Sequence, residues 1–173
     1  MFHNREKHLV EAFRDRLDQL ERRQQLASVS GIRDEAVLAR MLGLGITAES
    51  LASLGLVPLV LVAWADGEVA ASERDRIVAL AQAASIEPQD GRLPLLEHWL
   101  KRRPSLELVA AWRAYIEQLR ETMAAEDLET LRRDILDRAG EVARASGGLL
   151  GFGARVSPAE RAVLAELEQA FHS

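Results

Sequence analysis

Apolar residues recur every three or four positions along almost the whole chain, and no stretch sustains apolar–polar alternation with β-branched residues. A stripe at that period lines one face of an α-helix, so the chain is predicted to fold as all-α. Leu9, Phe13, Leu17 and Leu20 form one such stripe on a charged first helix running to about Ala27, which Ser30-Gly31 breaks. A short helix follows near Asp34 to Leu42 and ends at Gly43 and Gly45. Thr47 is expected to cap the next, with Gly55 and Pro58 interrupting it before "LVLVAWA". Further helices are expected from about Ala71 to Ala84, Leu93 to Leu100, and Pro158 to about Phe171. Ser105 caps a long helix with the stripe Leu108, Ala111, Trp112, Tyr115 and Leu119, and Leu128, Leu131, Ile135, Ala139 and Val142 line another.

Composition narrows the functional classes. The 173 residues suit one domain with an appended helix, and 48% hydrophobic with 28% charged residues is ordinary for a globular protein. The absence of cysteine excludes disulfides, thiolate metal sites and cysteine nucleophiles. A net charge of −5 argues against a duplex nucleic-acid partner, because phosphate contacts need surplus positive charge. The long uncharged run from Ser50 to Ala65 contains Pro58 and spans roughly 24 Å, short of a bilayer core of ~30 Å, so no membrane span is expected. The N-terminus lacks the apolar core of a secretory signal. Together with an arginine-rich, lysine-poor composition, this reads as a bacterial, cytoplasmic chain.

One stretch carries the functional question. "DGEVAASE" (Asp66 to Glu73) aligns with "GARVSPAE" (Gly153 to Glu160), sharing a Val and a Glu four residues later. Both copies follow a helix and a loop and precede a new helix, so the chain reads as two weakly related halves. An apolar helix ending "AWADG", then "xVxxxE" opening the next helix, with a degenerate copy near the C-terminus, resembles the TerB-like tellurite-resistance family. That family includes the N-terminal domain of a membrane-anchored DnaJ-type co-chaperone. The resemblance spans about Thr47 to Phe171, leaving residues 1–30 as an extension to a helical domain at 31–173. It implies a compact bundle of about seven to nine helices with pseudo-symmetric halves, carboxylates suspected of binding divalent metal, a role in stress response, and no established enzyme activity.

The residues allow their own weighing. With Gly67 as the turn glycine of an EF-hand loop, Asp66 and Glu73 fall at ligand positions, but Val62 and Trp64 fall where two more oxygens belong. This is therefore no EF-hand. The structural alternative is a turn and a helix cap, complete in the second copy with Ser157 as cap, Pro158 at the first position and Glu160 at the third. Capping is thus the leading account of Glu160, with metal second. In the first copy Ala70 stands where the serine would be, so Asp66 and Glu73 remain the candidate ligands for calcium or magnesium, held weakly with several waters.

Other features weigh less. The loop "GGLLGFG" lacks the ending of a phosphate cradle, and its Leu149, Leu150 and Phe152 either fold back onto the core or offer a contact to a partner or a membrane surface. The four histidines show no metal-site spacing, and Trp64, Trp99 and Trp112 read as core anchors. The first helix can pack on the bundle, pair with a copy of itself as a homodimer, or dock on another protein. A hydrolase using Asp66 and Glu73 as acid and base lacks any oxyanion stabiliser. The expectation is a non-catalytic, stress-associated interaction domain taking up a divalent cation at Asp66 and Glu73. The competing reading is an adaptor for a protein partner, without metal.

Overall fold

The computed structural model describes residues 2–84, 92–146 and 156–172. Among these the chain is all-helical and without strands. In order it forms α1 (Phe2–Ser30), α2 (Glu35–Gly43), a 3₁₀ helix (Leu51–Leu56), α3 (Val57–Ala63), α4 (Ala71–Ala83), α5 (Arg92–Lys101), α6 (Leu106–Thr122), α7 (Ala125–Ser146) and α8 (Pro158–Ala170). The eight α-helices among the described residues fall within the expected seven to nine.

Side-chain caps open α2, α6 and α8. Asp34 accepts from the amides of Ala36 and Val37 at 2.8 and 3.1 Å to open α2, and Ser105 accepts from Leu108 N at 3.3 Å to open α6. Gly31 takes a φ of 74° after α1, a left-handed conformation that costs glycine little.

The expectation for Thr47 is corrected. It caps no α-helix: its amide donates to Ser50 Oγ at 2.8 Å, its own Oγ1 accepts from Ser50 N at 3.3 Å, and the chain continues as turn and 3₁₀ helix. The two hydroxyls satisfy the backbone locally and so compete with the helical ladder. Pro58 then opens α3, where its missing N–H removes no helical bond.

The core sits around α3. Val57, Pro58, Leu59, Val60, Val62 and Ala63 are all buried, so this short helix is apolar all round and wrapped by neighbours. It packs against α7, α8, α4 and α6, and α7 also contacts α4 and α8. Trp112 on α6 is 1% exposed and meets Phe171 edge-on, ring centroids 6.1 Å apart. Trp64 Nε1 donates to Trp99 O at 2.9 Å, joining the end of α3 to α5. Trp99 and Trp112 are core anchors as expected, while Trp64 is half-buried.

The first helix stands apart. α1 packs on α2 at its C-terminal end, where Leu26 is fully buried and Arg23 pairs with Glu35 at 2.9 Å. From Lys7 to Arg22 every residue is exposed.

Candidate functional site

The two helix starts singled out in the sequence come together in the fold. α4 begins at Ala70 with φ −66° and ψ 150°, and α8 begins at Ser157 with φ −66° and ψ 161°. The Val before each cap, Val69 and Val156, packs half-buried against the core. Each third-position glutamate then turns back over its own first turn. Glu160 Oε2 accepts from Ser157 N at 2.6 Å, while Ser157 Oγ accepts from Glu160 N at 3.2 Å, a complete capping box. Glu73 Oε2 accepts from Ala70 N at 2.8 Å, but Ala70 has no side-chain oxygen to return the bond. The first copy is half a capping box.

Both glutamates are buried, Glu73 at 1% and Glu160 at 2% exposure. Burial disfavours a charged carboxylate and pushes the Glu73 pKa up to about 7, against the pull of the Ala70 N–H bond. Asp66 and Glu160 both push it further in the same direction by like-charge repulsion. The acidic corner is therefore a place where the fold brings three carboxylates within electrostatic reach. Asp66 itself is exposed, and its Oδ1 accepts from Glu68 N at 3.1 Å in the turn that Gly67 completes at φ 96°. Glu68 is exposed.

Among the described residues no group of three or more His, Asp or Glu side chains is disposed to hold a metal ion. Asp66 and Glu73 each spend one oxygen on a backbone amide. Leu149, Leu150 and Phe152 lie outside the described residues.

Two sets of polar residues went unremarked in the sequence. Arg76 of α4 pairs with Glu141 of α7. Arg132 of α7 bonds Glu129 at 2.7 Å and reaches Glu168 of α8 at 2.9 Å. The guanidinium of Arg132, helped by Arg133, holds the Glu129 carboxyl down at about 2. The i, i+3 spacing of Glu129 and Arg132 was the available signal for the local pair; the links to Glu141 and Glu168 needed the fold.

Among the described residues, most of the exposed large apolar side chains are on α1. Leu9, Val10, Phe13, Leu17 and Leu20 are between 45% and 75% exposed. Five large apolar side chains on one helix, with no described element of the bundle packed over them, form a contiguous exposed face rather than scattered surface residues. Among the described residues no helix is long and apolar enough to cross a membrane. Comparisons with protein-family models, curated proteins and solved structures return no match for this chain.

Proposed function

We propose that this chain is a non-catalytic interaction module, a compact helical bundle that presents α1 to another polypeptide. The exposure of Leu9, Val10, Phe13, Leu17 and Leu20 along one α1 face carries the reading. Leaving that much apolar surface in water is unfavourable by about 25 cal/mol per Å², and an amphipathic helix is the standard means of filling a groove or joining another helix. The bundle does not use it: its own core closes around α3 without residues 7–22. Kinship with the TerB-like family fits the repeated Val-x-x-x-Glu helix starts, and a stress-associated adaptor role follows from that kinship alone.

The test is a photo-reactive phenylalanine analogue placed at Leu17 in the full chain and irradiated in cells. The proposal expects covalent adducts joining α1 to a polypeptide, abolished when Phe13 is also replaced by Asp. Absence of any adduct at Leu17, with efficient incorporation, contradicts it.

A second reading keeps a divalent cation at Asp66 and Glu73. It is favoured by Asp66 and Glu160 lying close enough to Glu73 to add negative potential that a cation would relieve. Such an ion would be magnesium or calcium retaining several waters. Isothermal titration of the chain and of Asp66→Ala checks this: a binding isotherm lost in the variant supports the cation, and identical null isotherms remove it.

A further inference from the structure

We infer that the partner α1 is built to take is a second copy of itself, joined as a short, parallel, in-register two-stranded coiled coil. This rests on the reading of α1 as a docking helix and specifies the occupant. Val10, Phe13, Leu17 and Leu20 are spaced three, four and three residues apart, the a, d, a, d positions of two consecutive heptads. All four are exposed. The seam ends where the helix enters its own bundle: Arg23 is bound to Glu35 at 2.9 Å and Leu26 is fully buried. The apolar stripe therefore divides cleanly, one stretch serving the fold and one left for a partner.

The flanking charges choose the partner and its direction. In this register Arg14 and Glu21 occupy e, and Arg16 and Arg23 occupy g. In a parallel pair each g residue faces the e residue five positions later on the other chain, so Arg16 meets Glu21 of the second copy, twice by symmetry. In the antiparallel pair that sets Val10 on Leu20 and Phe13 on Leu17, e faces e and g faces g. Arg14 would then face Arg14, and Arg16 would face Arg16, four like charges at the centre of the seam. Like charges in that position are unfavourable and opposite ones set orientation. None of these four arginine and glutamate positions is needed by the bundle except Arg23. Two heptads are few, so the pair is weak and grows in only as protein concentration rises.

The chain has no cysteine, which makes the test clean. In the 173-residue chain, Leu20→Cys places its thiol at a d position facing its own copy only in the parallel arrangement. Under mild oxidation this variant is expected to convert mostly to a disulfide-linked dimer. In the antiparallel arrangement the disulfide instead joins Val10→Cys to Leu20→Cys in a mixture of the two variants, which would overturn the proposed direction. Arg16→Glu and Glu21→Arg are each expected to weaken dimerisation about tenfold, and the double variant to recover most of it. All these positions are exposed, so the bundle tolerates the changes. A Leu20→Cys chain that stays monomeric while Leu17 still captures another polypeptide in cells removes the second copy and leaves the docking helix standing. No adduct and no disulfide removes both.

Discussion

α1 and α6 carry the same kind of apolar stripe and put it to opposite uses. On α6, Leu108, Ala111, Trp112 and Ile116 are each about 1% exposed, locked under α2, α3, α7 and α8. On α1, Leu9, Phe13, Leu17 and Leu20 point into solvent along a helix about 43 Å long, touching the bundle only at its last turns. Periodicity alone makes the two helices equivalent. What separates them is whether another element of the same chain lies over the stripe, and that is the difference between a core and a contact surface.

If that contrast is right, substitutions on the two stripes must have very different effects. The largest is expected from Trp112→Ala, which loses the edge-on contact with Phe171 and opens a cavity, lowering stability by about 3–5 kcal/mol in chemical denaturation. Leu26→Ala, on the buried end of α1 itself, is expected to cost about 2–5 kcal/mol, placing the boundary between the two uses inside one helix.

Glu73→Gln probes the acidic corner and acts in the other direction. The folded protein holds the Glu73 proton up to about pH 7, whereas the unfolded chain releases it near the ordinary glutamate value. Stability from this group is therefore full at low pH, falls as pH rises toward 7, and is flat above. The amide keeps the acceptor for Ala70 N–H without the charge. Wild type and variant are expected to match below about pH 4, with the variant more stable at pH 8 by up to about 3 kcal/mol. Ser157→Ala, which makes the second helix start like the first, is expected to cost about 1 kcal/mol. At the small end, Leu17→Ser in dilute, monomeric protein should shift stability by less than about 0.5 kcal/mol while abolishing self-association. A loss comparable to that of Leu26→Ala would mean that α1 is part of the core after all.

The helical class and the starts of α6 and α8 were legible because they are written in side chains: Ser105 and Ser157 are caps whose oxygens reach backbone amides one turn on. The role of Thr47 was misread because Thr47 and Ser50 can cap a helix or bond each other, and here they bond each other. At the acidic corner the two helix starts were visible as a repeated Val and Glu. Ala70, however, suggested that Glu73 had lost half its structural role. The backbone amide of Ala70 still needs an acceptor, and Glu73 supplies it regardless of what the cap side chain offers. The burial of both glutamates and their mutual repulsion depend on α3, α4, α7 and α8 converging, which no local spacing encodes. The exposure of the α1 stripe was equally invisible, since sequence marks an apolar face but not whether its cover comes from the same chain.

Sedimentation equilibrium of the intact chain over a wide concentration range tests the division of α1 most directly. The account predicts an average mass rising from 19.2 kDa toward twice that value, and staying at the monomer mass when Phe13 and Leu17 are replaced by Ser. A mass of 19.2 kDa at every concentration in the unmodified chain would contradict self-pairing through this helix, and an unchanged dimer in the double variant would place the contact elsewhere.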